Sequence, residues 1–138
     1  MRSLSLQGMS VELITPEGLY DPPVYTQVAV GRGSRIVFVS GQVGFDAEGQ
    51  LVSDDVVEQA EQAYRNVRTA VEALGGSVQD IAKLTIFVVG HRPDLAQPLL
   101  AARNTVFGDY KPASTFLGVE KLIRPELLIE VEAIAVLD

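Results

Sequence analysis

The chain contains no cysteine, no tryptophan and a single histidine. Without cysteine there can be no disulfide, no thiolate metal site and no cysteine nucleophile. One histidine, His91, excludes a multi-histidine metal centre and leaves any Ser-His-Asp triad dependent on that residue. Aromatic residues make up only 7% of the chain, too few for a base-stacking surface. Positive charge is also short: 11 Lys+Arg stand against 18 Asp+Glu, a net charge of −7. That balance lacks the basic footprint of a nucleic-acid or anionic-membrane binder, so neither is expected as a partner, although a small basic pocket stays compatible with it. No apolar run approaches the roughly 20 residues of a membrane span. The start, MRSLSLQGMS, has no signal-peptide run, and the expected location is the cytoplasm. Phosphate-loop, dinucleotide-glycine and metal-ligand spacings are missing too.

What is present fits one soluble globular domain: 138 residues, 47% of them apolar. Residues 1–10 read as a flexible tail and 11–138 as a single domain. Val11–Ile14 is a short strand candidate, and the proline-rich stretch 15–23 is a loop. Two β-rich runs, Thr26–Val30 and Arg35–Ser40, flank Gly31-Arg32-Gly33-Ser34 and predict a hairpin. Asp46-Ala47-Glu48-Gly49 is a turn. Asp55 and Glu58 fit a capping box, after which Val56, Ala60, Ala63, Val67, Ala70, Val71 and Leu74 repeat at helical spacing until Gly75-Gly76. Lys83–Val89 is a strand with both faces apolar; a second helix runs from Arg92-Pro93-Asp94 to about Phe107, with Pro98 in its first turn; Ser114–Val119 and Leu128–Val136 are the last strands. Two helices cannot cover both faces of such a sheet. Both are expected on one face, with the other buried by self-association.

Glu130 and Glu132 stand out inside Leu128–Ile134, where their neighbours are apolar. Residues two apart on a strand share a face, about 7 Å apart. A covered face would raise one carboxyl pKa into a range useful for general acid–base work; an exposed face or structural hydrogen bonding is the plainer reading. Ser40-Gly41-Gln42 ends a strand where backbone can approach a ligand, or where a bulge sits. Ser114 and Thr115 offer hydroxyls with no base placed beside them. His91 reads as a surface or capping histidine, Lys111 as a loop lysine, and Tyr20 and Tyr25 as residues that line a pocket or simply pack.

The run Pro112-Ala113-Ser114-Thr115-Phe116-Leu117-Gly118-Val119, followed by Ile129-Glu130-Val131-Glu132-Ala133-Ile134-Ala135, resembles the C-terminal signature of the Rid family, also called YjgF and formerly L-PSP endoribonuclease. Val39-Ser40-Gly41-Gln42, Gln59-Ala60 with Asn66-Val67, and Gly75 through Asp80-Ile81 to Lys83–Val88 agree in order, so the likeness spans about 22–138. The resemblance implies an α+β, chorismate-mutase-like fold: a mixed sheet with two helices on one face, in a homotrimer with a central barrel and ligand clefts between subunits. It implies hydrolysis of reactive imines and enamines to 2-keto acids and ammonia, with no metal or cofactor.

Carried over residue by residue, the resemblance puts the family's carboxylate, which helps position water, on Glu130 as the catalytic candidate. Its Ser-Gly falls on Ser40 and Gly41, and its loop tyrosine on Tyr25. The family's carboxylate-binding arginine falls on Ser114, and its pocket cysteine on Phe116. Serine cannot supply a fixed positive fork. Losing such a charged contact in a desolvated site costs roughly 2–5 kcal/mol, so ordinary 2-imino-acid deaminase activity is expected to be weak or absent. Lys111 and, less so, Arg124 are candidate replacement cations. Two readings follow: an imine or enamine hydrolase of altered preference, and a non-catalytic trimer that binds a metabolite or partner at the same cleft. A ribonuclease reading, suggested by the older family label, is opposed by the acidic balance and sparse aromatics.

Overall fold

The computed structural model describes residues 2–3, as backbone, and 9–138. The rest of the expected tail, residues 1 and 4–8, lies outside the described residues. The described residues form seven strands: β1 (Arg2–Ser3), β2 (Val11–Thr15), β3 (Val28–Gly31), β4 (Arg35–Gln42), β5 (Ile81–Val89), β6 (Ala113–Val119) and β7 (Ile129–Leu137). Two α-helices join them, α1 (Val56–Glu72) and α2 (Ala96–Phe107). The main sheet has the order β4-β7-β5-β6, with β5 and β6 parallel and the other pairs antiparallel, so it is mixed. The expected α+β class with two helices on one face holds.

Strand alternation decides which face the helices cover. Ile129, Val131, Ala133, Ala135 and Leu137 of β7, with Leu84, Ile86 and Val88 of β5, are buried under α1 and α2. Helix α1 starts where Asp55 Oδ2 accepts the Glu58 N–H at 3.0 Å. The reciprocal half of the expected capping box is absent, because Glu58 takes the Ser53 hydroxyl at 2.6 Å instead. The helix ends at Glu72, the chain turns away at Gly75 (φ +87°), and Leu74 lies beyond the last turn, exposed rather than in the core. Tyr64 and Gln59 complete the buried stripe. Helix α2 follows a 3₁₀ turn, Pro93–Leu95, and carries Pro98 in its first turn, where its missing N–H costs little. It packs chiefly on α1 rather than on the strands beneath it. That leaves a space over the β5–β6 half of the sheet.

The predicted hairpin of Thr26–Val30 with Arg35–Ser40 does not form. β3 pairs antiparallel with β2 in a separate sheet, β1-β2-β3, and β4 pairs with β7. Two contacts explain the divergence. Thr26 is held at the start of β6, its hydroxyl donating to the Lys111 carbonyl at 2.6 Å and its backbone bridging Ala113. Gly31 lies against the Val136 side chain and Gly33 against the Leu137 carbonyl, each closer than a Cβ would allow. β3 therefore crosses from the β6 edge toward β7 and delivers the chain to β4 without pairing with it.

The face away from the helices keeps an apolar patch. Phe38 is 74% and Ile36 64% exposed, and Ile134 and Leu117 are also solvent-accessible.

Candidate functional site

The space between α2 and the β5–β6 half of the sheet is a cavity of about 630 Å³. Its walls come from four directions. Ile86 of β5 and Ser114, Thr115 and Phe116 of β6 form the floor; Ala96, Gln97, Leu99, Leu100 and Arg103 of α2 form one side. Tyr64 of α1, His91 after β5, and Val24 and Tyr25 of the proline-rich loop close it. β5 and β6 run in register, with Leu84 beside Ser114 and Ile86 beside Phe116, so these side chains reach the helix-covered face together. The Ser114 hydroxyl donates to the Pro112 carbonyl at 3.0 Å. The Phe116 ring meets His91 edge to face, centroids 4.8 Å apart.

The electrostatics are unusual for so acidic a chain: the lining holds no Asp or Glu. Arg103 is only 6% exposed, and among the described residues no carboxylate pairs with it. Its Nη1 donates to the Val24 carbonyl at 2.7 Å and its Nη2 to Asn104 Oδ1 at 3.2 Å, while its Nε is buried without a partner. Burial pulls its pKa below the usual guanidinium value. The Tyr64 hydroxyl is pushed up to about 12 by burial, a rise that the Arg103 charge partly opposes. His91 Nδ1 is a second buried polar atom with no hydrogen-bond partner.

Glu130 lies elsewhere. With Gly41, Gln42, Val43, Phe45, Ile123, Arg124 and Leu127 it lines a separate hollow of about 470 Å³. Gly41 sits at the bulge between Val39 and Gln42, and a Cβ there would run into the Glu130 carboxylate. Glu130 is half-buried and Glu132 exposed, so their shared face is not covered within one chain. Gln59 and Asn66 of α1 hold this region in place. Gln59 Nε2 donates to the Ser53 and Glu126 carbonyls at 2.9 and 3.0 Å, and its Oε1 accepts the Leu128 N–H. Asn66 Nδ2 donates to the Val43 and Phe45 carbonyls.

The six candidates from the sequence thus divide. Tyr25, Ser114 and Phe116 share the first cavity, Gly41 and Glu130 the second, and Ser40 is exposed and lines neither. Lys111 donates to the Pro23 carbonyl at 3.3 Å and lines a small hollow that also touches Arg103. Arg124 is engaged with Glu126 at 2.8 Å, beside the Phe45 ring. Sequence reasoning missed Arg103, Tyr64 and the placement of His91. Arg103 left a signal: it interrupts the apolar stripe Leu99, Ala102, Val106, Phe107 of α2. Among the described residues no three His, Asp or Glu side chains converge as a metal site, and no helix is long and apolar enough to cross a membrane.

Residues 21–137 match the family model described as Endoribonuclease L-PSP. A RutC family protein of Pyrococcus abyssi is 32% identical over 130 residues, covering 92% of this chain and 98% of the relative. A protein of Salmonella typhimurium named 2-iminobutanoate/2-iminopropanoate deaminase is 36% identical over 113 residues, covering 78% of this chain and 83% of its own. Among solved structures, a Rid-family protein of unknown function from Yersinia pestis superposes with a TM-score of 0.85 at 31% identity, covering 93% of this chain and 99% of that one.

Proposed function

The chain belongs to the Rid family, also known as YjgF or endoribonuclease L-PSP, and from that premise we propose that it hydrolyses small reactive imines or enamines, with a substrate preference altered by Ser114. Water adds to the imine carbon, the C–N bond of the resulting carbinolamine breaks, and ammonia leaves a carbonyl product. Enamines enter by tautomerising to the imine. Glu130 orients the attacking water, a role open to a carboxylate within hydrogen-bond reach. Ser40, Ser114 and the backbone at Gly41 hold the substrate, and Tyr25 and Phe116 wall the pocket. No metal or cofactor takes part.

The observation that carries this reading is that five of the six candidates line two separate hollows of one chain, one with Ser114 and one with Glu130, which we take as half-sites. In the proposed homotrimer, half-sites of neighbouring subunits face each other across a cleft. The exposed Ile36, Phe38 and Ile134 favour such assembly, because an apolar patch of that kind gains from burial. The cytoplasm is the proposed setting and a small molecule the proposed ligand. Nucleic acid is no part of the proposal, in keeping with the net charge of −7. The second reading, a non-catalytic trimer binding a metabolite, draws on one specific position: Ser114 cannot provide the charge that an arginine would bring there.

A coupled assay separates them. Imines generated in place by an amino-acid oxidase are presented to the native protein, Ser114→Arg and Glu130→Ala, and the keto acid is followed. The expected pattern is slow native hydrolysis, abolished in Glu130→Ala and accelerated about 30-fold or more in Ser114→Arg. Saturable binding without product in every variant would establish the binding-protein reading instead.

A further inference from the structure

We infer that Arg103 is the anion-binding residue of the 630 Å³ cavity, and that the ligand it takes is a small carboxylate with an apolar body. This deepens the reading above and rests on its choice of that cavity as the ligand site, but not on the hydrolysis.

A guanidinium buried to this depth is expensive to desolvate and is normally offset by a carboxylate. Here the chain has 18 Asp+Glu available, yet among the described residues none lines the cavity and none pairs with Arg103. Two of the five N–H donors of the fork are used, one on the Val24 carbonyl and one on Asn104, and Nε has no partner. The charge is therefore held in place by the protein but left uncompensated. Its surroundings add to the effect: Ala96 and Gln97 bring the first turn of α2, the positive end of a helix dipole, to the same wall. His91 contributes a second buried nitrogen without a partner, which a bound ligand or its water can engage.

The other lining residues narrow the ligand class. Arg103 and His91 are the only basic residues among them, too few for a phosphate dianion, while Val24, Ile86, Leu99, Leu100 and Phe116 form an apolar enclosure. A planar monoanion matches the fork, and the apolar walls suit an alkyl or aryl body. Arg103 reaches the cavity from α2, whereas Ser114 reaches it from β6. The ligand's acid group would thus be held on the helix side, opposite the position that Ser114 leaves without charge.

The test uses the full-length protein in its native assembly. Isobutyrate and benzoate, with isobutyramide and benzamide as neutral matches, are titrated while the arginine side-chain Nε–H signals are followed by ¹⁵N-edited NMR. Carboxylates are expected to bind about ten- to a hundredfold more tightly than the amides and to shift the Arg103 Nε–H resonance. Arg103→Met should erase the preference and Arg103→Lys recover part of it. Should Arg103→Met fail to fold, the resonance of the native protein decides. Equal binding of acid and amide, binding that leaves the Arg103 signal unmoved, or no binding of either would each overturn the inference. Turnover of a neutral imine made by an amine oxidase, followed in the native protein, reports the hydrolysis separately: its presence keeps the hydrolase reading even where the titrations overturn the role of Arg103.

Discussion

Tyr64 lies between the two helices and the cavity, its ring edge-on to Phe107 at 5.3 Å, and burial pushes its hydroxyl up to about 12 from the ordinary 10.0. Tyr110 is raised too, chiefly by burial, with its hydroxyl donating to the Ile81 carbonyl at 2.6 Å. A folded-state pKa above the unfolded value means the native state holds protons that the unfolded state has released. The contribution is complete below about pH 10 and is lost as pH rises toward 12. Unfolding midpoints in urea should stay level through pH 9 on this account. Above pH 10 they should fall, as the unfolding free energy drops by up to about 1.4 kcal/mol per pH unit for each tyrosine. Tyr64→Phe should make that fall shallower. An unchanged alkaline slope in the variant would mean that the phenol is not the group responsible.

Helix α1 does more than fill the core, because its polar residues shape the loops around Glu130. Gln59 is fully buried, and its amide satisfies two carbonyls and one N–H from the segments before α1 and β7. A leucine there would keep the volume but strand all three backbone groups. Gln59→Leu is expected to cost roughly 2–4 kcal/mol in chemical denaturation. A loss within experimental error would show that water or a loop shift replaces those bonds. The Asp55 cap makes a single bond to the Glu58 N–H and matters less.

For the whole molecule, the decisive surface is the sheet face away from the helices. Phe38 and Ile36 project from β4, one edge strand of the main sheet, beside Ile134 of β7. In the proposed trimer this face is buried, and a charge placed on it would have to be desolvated. Phe38→Glu should sediment as a monomer while keeping its far-UV circular dichroism. It should also lose any activity that depends on joining the Ser114 and Glu130 half-sites. A native protein that already sediments as a monomer would remove the trimer and, with it, the shared cleft.

Much of this molecule was legible in one dimension. Apolar spacing located α1, α2 and the strands β5 to β7 to within a few residues, because 3.6- and 2-residue periods record which side faces a core. The unbroken two-faced pattern of β5 anticipated a sheet covered by helices on one side and still apolar on the other. The motif around Ser114 and Glu130 carried the family. Pairing partners were not legible. Gly31 to Ser34 has the composition of a hairpin turn, but Thr26, tied to Lys111 and Ala113, carries β3 across the sheet, and β4 finds β7 some hundred residues away. Nor could spacing place Glu130 and Ser114 in different hollows, or leave Arg103 buried without a counter-charge. Periodicity reports the environment of each residue along its own element. Which elements meet, and which polar groups they leave unpaired, depends on contacts between distant segments, and those exist only once the chain has folded.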